Sequence, residues 1–404
     1  MAHPSQDEPR RQRLLGMGGI PLPDREEDFA ADPAELFFDL TFVFAFSRLV
    51  YLLVHDPSWG GVGRFALLFV MIWFPWSQFT WSANAVPGNS RPVRLLFMVA
   101  TVASIPMAGS VTAAFDDGGP VFAIMLSVIL AVALFTMIAG LSTEPEVRAA
   151  ALRYSVPNWV AIALMVVGGF VSGQGRVWLW LAALGILLVG TVRAGSSEWL
   201  IRPGHFAERH GLLVIVALGE VIVAVGLPVV DNLTEGAGLS AQTVVALVAA
   251  GVFAVLLWWG YFDRPNPALE HRHSQVGGGV ASGRFARDVY TYLHVPLIGG
   301  IILSAAALEE ITLHPGDTLS GPFRWMLLAG LAGYLLAVAG AVARGFGRLA
   351  SERLVAAATL AALIAGAGPL DGVVLLVAVD AVLLAMLVVE HFRVEVRHRA
   401  DGSG

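Results

Sequence analysis

The segment Pro33–Val50, PAELFFDLTFVFAFSRLV, is apolar enough to cross a bilayer and yet carries Glu35, Asp39 and Arg48. Glu35 and Asp39 are four residues apart, so on a helix both carboxylates project from one face. Arg48 lies nine residues beyond Asp39, which is about half a turn around the helix axis, so it points elsewhere. A charge in hydrocarbon costs several kcal/mol, so this segment predicts a transmembrane helix whose charges need partners or water.

The composition of the chain is typical of an integral membrane protein. Of its 404 residues, 56% are hydrophobic and 14% charged, and the mean hydropathy is +0.72. Soluble domains carry about 25% charged residues, so this chain lacks the polar surface to cover itself in water. The absence of cysteine excludes disulfides, thiolate catalysis and cysteine metal sites. All 25 basic residues are arginine and the net charge is −6, without an extended basic tract, which argues against a nucleic-acid partner.

Apolar runs separated by polar breaks predict an all-α, polytopic bundle of about twelve spans. Residues 1–33 are predicted to form a flexible cytoplasmic tail, 34–391 the transmembrane domain, and 392–404 a second cytoplasmic tail. The longest break, 263–288, contains two histidines without a third firm metal ligand and is predicted to be a solvated linker. The predicted spans are 34–54, 61–83, 93–114, 120–141, 156–172, 176–194, 209–227, 240–262, 289–308, 322–343, 352–368 and 371–391.

The arginines predict the orientation of the bundle. They concentrate in both tails and in the breaks that follow even-numbered spans, such as Arg202 and Arg209 between the sixth and seventh spans. Breaks after odd-numbered spans are acidic or neutral, and they contain only Arg64, Arg176 and Arg324. Because positive residues remain on the cytoplasmic side, both termini are predicted to be cytoplasmic.

A weak internal repeat is also indicated. The first span is charged and is followed by a span that ends in Trp81-Ser-Ala-Asn84; the charged seventh span is followed by one that ends in Trp258–Asp263. Six spans separate the equivalent elements, so the pattern predicts two parallel six-helix halves, 34–194 and 209–391. Parallel repeats of this kind build several transporter folds, with a site where the halves meet.

Four segments resemble hallmark motifs of the bacterial low temperature requirement A (LtrA) family. They are ELFFDLTFVFA at Glu35–Ala45, HFAERHGL at His205–Leu212 followed by ALGE, WWGYFD at Trp258–Asp263, and DVYTYLHVP at Asp288–Pro296. The resemblance covers roughly residues 33–390, and Val221 departs from it where the family often has a small polar residue. It implies an integral membrane protein associated with growth in the cold, and it implies no particular chemistry.

One group of candidate site residues lies near the middle of the membrane, judged from a rise of about 1.5 Å per residue. It comprises Arg48, Glu220 and Asp380. We hypothesise an ion or proton relay in which the two acids titrate and Arg48 is the counter-charge. The alternative is a static Arg48–Glu220 ion pair that ties the two halves together. Asp380 has no evident partner, which favours a functional role for it.

A second group lies closer to the cytoplasmic face. It comprises Glu35, Asp39, Asn84, His210, Asp263 and His294. Carboxylates and imidazoles suit a cation site or acid–base chemistry on a membrane substrate. The alternative is interfacial anchoring, which is the preferred interpretation for Asp263 because Arg264-Pro265 follows it and ends the helix. No spacing here matches a strong metal-binding motif, and the sequence names no cofactor.

Three functions follow from these patterns. The favoured prediction is an ion- or proton-coupled transporter of the cell membrane, with the lipid bilayer and a small molecule or ion as its partners. The first alternative is a membrane enzyme acting on a lipid or an isoprenoid-linked substrate, which would need arginines near the inner group to hold phosphate. The second is a structural or sensory membrane protein in which the charges only hold helices together.

Overall fold

The computed structural model describes residues 30–86, 90–139, 145–194, 201–234 and 238–401, and almost all of them are helical. A 3-10 turn, Val111–Ala113, follows α3, a π-helical segment, Ala286–Tyr292, precedes α11, and one isolated β-bridge joins Thr318 to Asp371. The helices are α1 (Pro33–His55), α2 (Trp59–Ala85), α3 (Arg91–Gly109), α4 (Gly119–Ala139), α5 (Pro145–Phe170), α6 (Gln174–Ala194), α7 (Pro203–Thr234), α8 (Ala241–Phe262), α9 (Pro265–Gln275), α10 (Val280–Phe285), α11 (His294–Leu313), α12 (Gly321–Phe346), α13 (Ser351–Gly366) and α14 (Gly372–Asp401).

The prediction of an all-helical, multi-pass membrane protein is confirmed. Within the described ranges, ten helical stretches are long and apolar enough to cross a bilayer. Of the other two predicted spans, 156–172 corresponds to a shorter apolar helix, Tyr154–Phe170, and 352–368 corresponds to α13, which has 16 residues. The count of twelve spans therefore stays a prediction.

Helix α1 begins with a capping box. The Asp32 side chain accepts a hydrogen bond from Ala34 N at 2.9 Å, Glu35 accepts one from Asp32 N at 3.3 Å, and Pro33 occupies the first turn, where no backbone donor is needed. Asp32 also forms an ion pair with Arg94 at the start of α3, at 2.8 Å. Residues 1–29 of the predicted tail lie outside the described part of the chain.

Side-chain contacts establish the relative directions of the helices. Helix α2 is antiparallel to α1, because Phe38 contacts Phe79 and Phe46 contacts Phe69, with ring centroids 4.7 and 6.3 Å apart. Helix α7 is parallel to α1, as the contacts described below show, and α11 begins beside the start of α7. We call the side of the bundle where α1 begins the near face and the side where α1 ends the far face.

Two expectations about loops are wrong. The predicted linker 263–288 contains α9, α10 and the first part of the π-helical segment, and His273 is buried and hydrogen bonds to Ser282 Oγ at 2.9 Å. Helix α7 begins at Pro203, so Arg209 is a buried helix residue and not a loop arginine. The hydropathy pattern predicted loops at both places because these side chains are polar. In the structure, other helices cover them. Helix α14 also continues to Asp401, through most of the predicted C-terminal tail.

Helices α11 and α12 approach each other at backbone distance. A Cβ atom on Gly330 would lie 2.5 Å from Gly300 O, and one on Gly333 would lie 2.7 Å from Pro296 O. Small residues at helix contacts allow this close packing in membranes, where van der Waals contact is a main source of association. This packing holds α11, which carries His294, firmly in the bundle.

Candidate functional site

A buried network of charges joins α1 to α7. Glu35 accepts hydrogen bonds from Arg209 Nη1 and from His205 Nε2, the latter at 2.9 Å. Asp39 Oδ1 accepts hydrogen bonds from Arg209 Nη2 at 2.8 Å and from Trp76 Nε1 on α2 at 2.7 Å. The side chains of Glu35, His205 and Arg209 have no solvent exposure, and that of Asp39 has 3%. We call these five residues the α1–α7 charge cluster.

The contacts within this cluster are in register. Glu35 meets His205 and Asp39 meets Arg209, and both pairs are separated by 170 residues in the sequence. Further along, Ser47 on α1 donates to Glu220 on α7 at 2.5 Å. Because positions on both helices advance together, α1 and α7 are parallel. The four-residue spacing that places two acids on one face of α1 also places His205 and Arg209 on the facing side of α7.

The α1–α7 charge cluster differs from an ordinary ion pair because its charges do not balance. It contains two carboxylates against one guanidinium, which stays charged at any physiological pH. These three groups, when ionised, leave one excess negative charge, and one bound proton neutralises it. A buried excess charge is costly, so the cluster has an affinity for a proton or a small cation.

A second group of side chains adjoins the first through Trp76. The His210 ring lies 4.9 Å from the Trp76 ring, 5.0 Å from the His294 ring and 5.1 Å from the Tyr290 ring. His294 is hydrogen bonded to Tyr261 OH at 2.8 Å. We call His210, Tyr261, Tyr290 and His294 the aromatic–histidine cluster. It joins α7, α8, the π-helical segment and α11, and it is buried throughout.

The hydrogen-bond partners define the tautomers of neutral histidines in this cluster. His294 Nδ1 lies 3.0 Å from Val289 O, five residues earlier in the π-helical segment, so Nδ1 carries the proton. Nε2 then accepts from the Tyr261 hydroxyl. His210 Nδ1 lies 2.8 Å from Phe206 O and likewise carries the proton, which leaves Nε2 as an acceptor. Segments of π-helix often occur at functional sites, and this one presents Tyr290 beside both histidines.

Buried polar atoms without partners occur beside both clusters. Among the described residues, these atoms include Asp39 Oδ2, Trp73 Nε1, His210 Nε2 and Tyr290 OH. Most buried polar atoms in proteins are hydrogen bonded, so a concentration of unpaired ones indicates a place for a polar ligand, an ion or proton transfer. Within the described residues, no group of three His, Asp or Glu side chains is arranged to hold a metal ion.

The mid-membrane residues are arranged differently from the expected ion pair. Glu220 is hydrogen bonded to Ser47, while the Arg48 guanidinium lies over the Tyr51 ring at 4.4 Å. Among the described contacts there is no ion pair between Arg48 and Glu220. Arg48 and Glu309 of α11 are nevertheless close enough to act electrostatically on Glu220. These side chains form a second polar level, eight or more residues beyond Asp39 along α1, which is about 12 Å.

Asp380 on α14 has no described contact with the residues of either polar level. Its side chain is buried, its Oδ1 has no hydrogen-bond partner, and no charged group in the described structure acts on it electrostatically. The prediction that Asp380 has no evident partner agrees with its unpaired Oδ1 in the described structure. The structure does not bring Asp380 together with Asp39 and Glu220.

Two other predicted site residues have structural contacts of their own. Asn84 joins the end of α2 to the segment before α7, because its Oδ1 accepts from Arg202 N at 3.0 Å and its backbone carbonyl accepts from the Arg202 guanidinium. Asp263 is the C-cap of α8 and forms an ion pair with Arg264 at 3.3 Å, with its side chain 41% exposed. Neither belongs to the two clusters.

Sequence reasoning placed Glu35, Asp39, His210 and His294 in one polar layer but missed most of their partners. Those partners are Trp76, His205, Arg209, Tyr261 and Tyr290. A signal was present: the spacing of His205 and Arg209 repeats the spacing of the two acids of α1, and four of the five missed residues lie inside the quoted motifs.

Replacement of Tyr261 by phenylalanine is expected to destabilise the fold by about 1–2 kcal/mol, because His294 Nε2 loses its buried donor. Thermal unfolding of the detergent-solubilised protein measures the change. The matched control is Tyr51→Phe, since Tyr51 is 44% exposed and the loss there is expected to stay within about 0.5 kcal/mol. Equal effects of the two changes would show that the Tyr261 hydroxyl contributes nothing.

Comparison with known proteins identifies the family of this chain. Residues 30–388 match the family described as "Bacterial low temperature requirement A protein (LtrA)". A protein of Rhizobium meliloti (strain 1021), "Uncharacterized protein RA0937", is 32% identical over 317 residues, which cover 76% of this chain and 75% of that protein. No solved structure matches the chain significantly. All residues of both clusters lie within the matched region, and the chain therefore belongs to the bacterial LtrA family of membrane proteins.

Proposed function

We propose that this protein is a proton-coupled transporter of the cell membrane, with twelve spans and cytoplasmic termini. The observation that carries the proposal is the α1–α7 charge cluster. Two buried carboxylates share one arginine, and Asp39 Oδ2 has no hydrogen-bond partner. Such a cluster changes its net charge by one when a proton binds, which is what coupling requires. Intramembrane acids of this kind mark ion and proton pathways in transporters.

The helix packing supports a transporter built from two similar halves. Within the first half, α1 packs on α2 and α3, α3 on α4, α4 on α5, and α5 on α6. The corresponding contacts in the second half are those of α7 with α8 and α11, α11 with α12, α12 with α13, and α13 with α14. The contact of α2 with α6 has its counterpart in that of α8 with α14. In this interpretation, the charge cluster lies where the first helices of the two halves meet, the usual place for a transport site.

Glu220 supports a second step of the proton path. It lies on α7 closer to the far face than Arg209, and it faces α1 through Ser47. A proton released from the charge cluster toward the far face would meet Glu220 next along the α1–α7 contact. Glu309 on α11 is the next acid in the same direction. The charge cluster therefore takes up the proton in this mechanism, and Glu220 transfers it onward.

The arginines offer less support for an enzyme that acts on phosphate-bearing lipids. Three arginines on this side of the bundle already have acidic partners in the described structure: Arg209 contacts Glu35 and Asp39, Arg264 contacts Asp263, and Arg287 contacts Asp288. A purely structural role is tested by the experiment below, since a static ion network would not move charge.

The test is charge movement in proteoliposomes on a solid-supported membrane after a rapid change of external pH. The wild type is expected to give a transient current that empty liposomes lack. Asp39→Asn and Glu220→Gln are each expected to reduce it by about tenfold, because the replacement side chains cannot titrate. The control is Asp263→Asn, at an exposed acid outside the clusters, which is expected to retain most of the current. A wild-type trace equal to that of empty liposomes, or an undiminished Asp39→Asn current, would contradict the proposal.

A further inference from the structure

An apolar cleft opens on the side of the bundle near the far face. It has a volume of about 560 Å³ and lies between the start of α2, the start of α12 and the middle of α11. Sites that hold organic ligands have volumes of about 300–1,000 Å³. The side chains that define its walls include Trp59, Val62, Leu303, Trp325, Met326 and Ala329. The cleft is far from both clusters, which lie at the near face.

The cleft has the depth of one leaflet. Its mouth is at Trp59, the first residue of α2, and at the first turn of α12. The lining residues farthest from the far face are Ala329, eight residues into α12, and Leu303, ten residues before the end of α11, which corresponds to about 12–15 Å along the helix axes. The hydrocarbon of one leaflet is about 15 Å thick. The cleft therefore runs from the membrane surface to near the bilayer centre.

The mouth is amphipathic while the interior is apolar. Trp59 and Trp325 are 75% and 52% exposed at the rim, and tryptophan is enriched at the level of lipid headgroups. Arg64, with a side chain 47% exposed, forms an ion pair with Asp56 beside Ser58 at the same end of α2. Among the described residues, no charged side chain lines the cleft itself.

We propose that this cleft binds one acyl chain of a membrane phospholipid, with its headgroup beside the two rim tryptophans. The match between cleft depth and leaflet thickness selects a lipid chain over a compact soluble ligand. Its entrance is exposed along the lipid-facing surface of α2 and α12, so the chain enters laterally from the leaflet. The bound lipid fills space between the two halves of the bundle at the face opposite the charge cluster. This assignment does not depend on the proposed transport activity.

The test uses the full-length protein in nanodiscs that contain phosphatidylglycerol with a diazirine near the end of one acyl chain. After photolysis and digestion, label is expected in the peptides that contain Val62 and Met326, above the level found in lipid-facing peptides of α8. Ala329→Trp fills the cleft from an exposed position and is expected to lower this label by about tenfold, because the chain loses several buried methylene contacts.

Two further variants separate a specific site from general lipid contact. Val62→Trp fills the cleft from the opposite wall and is expected to lower the label in the same way. Val248→Trp adds the same side chain at a lipid-exposed position of α8 and is expected to leave the cleft label unchanged. Even labelling of all lipid-facing helices in the wild type would overturn the proposal. Undiminished cleft label in both folded cleft variants would also overturn it.

Discussion

Replacement of Arg209 by methionine is expected to destabilise the protein by about 3–5 kcal/mol, the largest effect of any single change considered for this chain. The side chain has no solvent exposure and is the only guanidinium in contact with Glu35 and Asp39 within the described structure. Methionine keeps much of the apolar volume but leaves two buried carboxylates without their cation. Unfolding in detergent, followed by tryptophan fluorescence or a thermal shift, measures the loss.

Matched variants identify the cause of this loss. Arg64→Met removes an arginine from an exposed ion pair with Asp56 and is expected to cost about 0–1 kcal/mol. Combining Arg209→Met with Glu35→Gln and Asp39→Asn removes the uncompensated charges as well, and it is expected to recover a large part of the stability. If the triple variant is as unstable as Arg209→Met alone, then packing and not charge balance is the main contribution of Arg209.

Replacement of Gly300 by alanine is the second large expected effect, a destabilisation of about 1–3 kcal/mol or more. A Cβ atom at this position would overlap Gly330 O and lie 3.0 Å from Tyr334 N, both in the backbone of α12. A backbone contact cannot be relieved by rotating a side chain, so α11 and α12 must move apart. Thermal unfolding and the amount of folded protein recovered from membranes report the change.

The control for this change is Gly251→Ala on α8. Apart from the adjoining backbone of its own helix, no atom of the described structure lies within 4 Å of a Cβ built at Gly251, so the substitution has room. Alanine is preferred over glycine in a helix by about 0.5–1 kcal/mol, so this variant is expected to be as stable as the wild type or slightly more stable. A similar loss in both glycine variants would contradict the close-packing explanation.

Hydropathy was sufficient to predict the helical, membrane-embedded class of the protein, because a long apolar run has few other stable environments. It was insufficient where a polar segment is covered by other helices. The segment 263–288 is polar in sequence and contains α9 and α10 in the structure, where His273 is buried against Ser282. The predicted start of the seventh span, residue 209, was too late for the same reason. Arg209 is a charged residue of the kind found in loops, but it is buried inside α7, which begins at Pro203.

The sequence by itself determined that Glu35 and Asp39 share one face of a membrane helix, because a spacing of four residues is a local property of helix geometry. It also determined that such charges must have partners. Only the tertiary structure decided which partners they have: Glu35 meets His205 and Arg209, while Arg48 lies over Tyr51 and does not pair with Glu220. Contacts between residues 170 positions apart depend on how α1 and α7 pack and in what register, and no local periodicity encodes that packing.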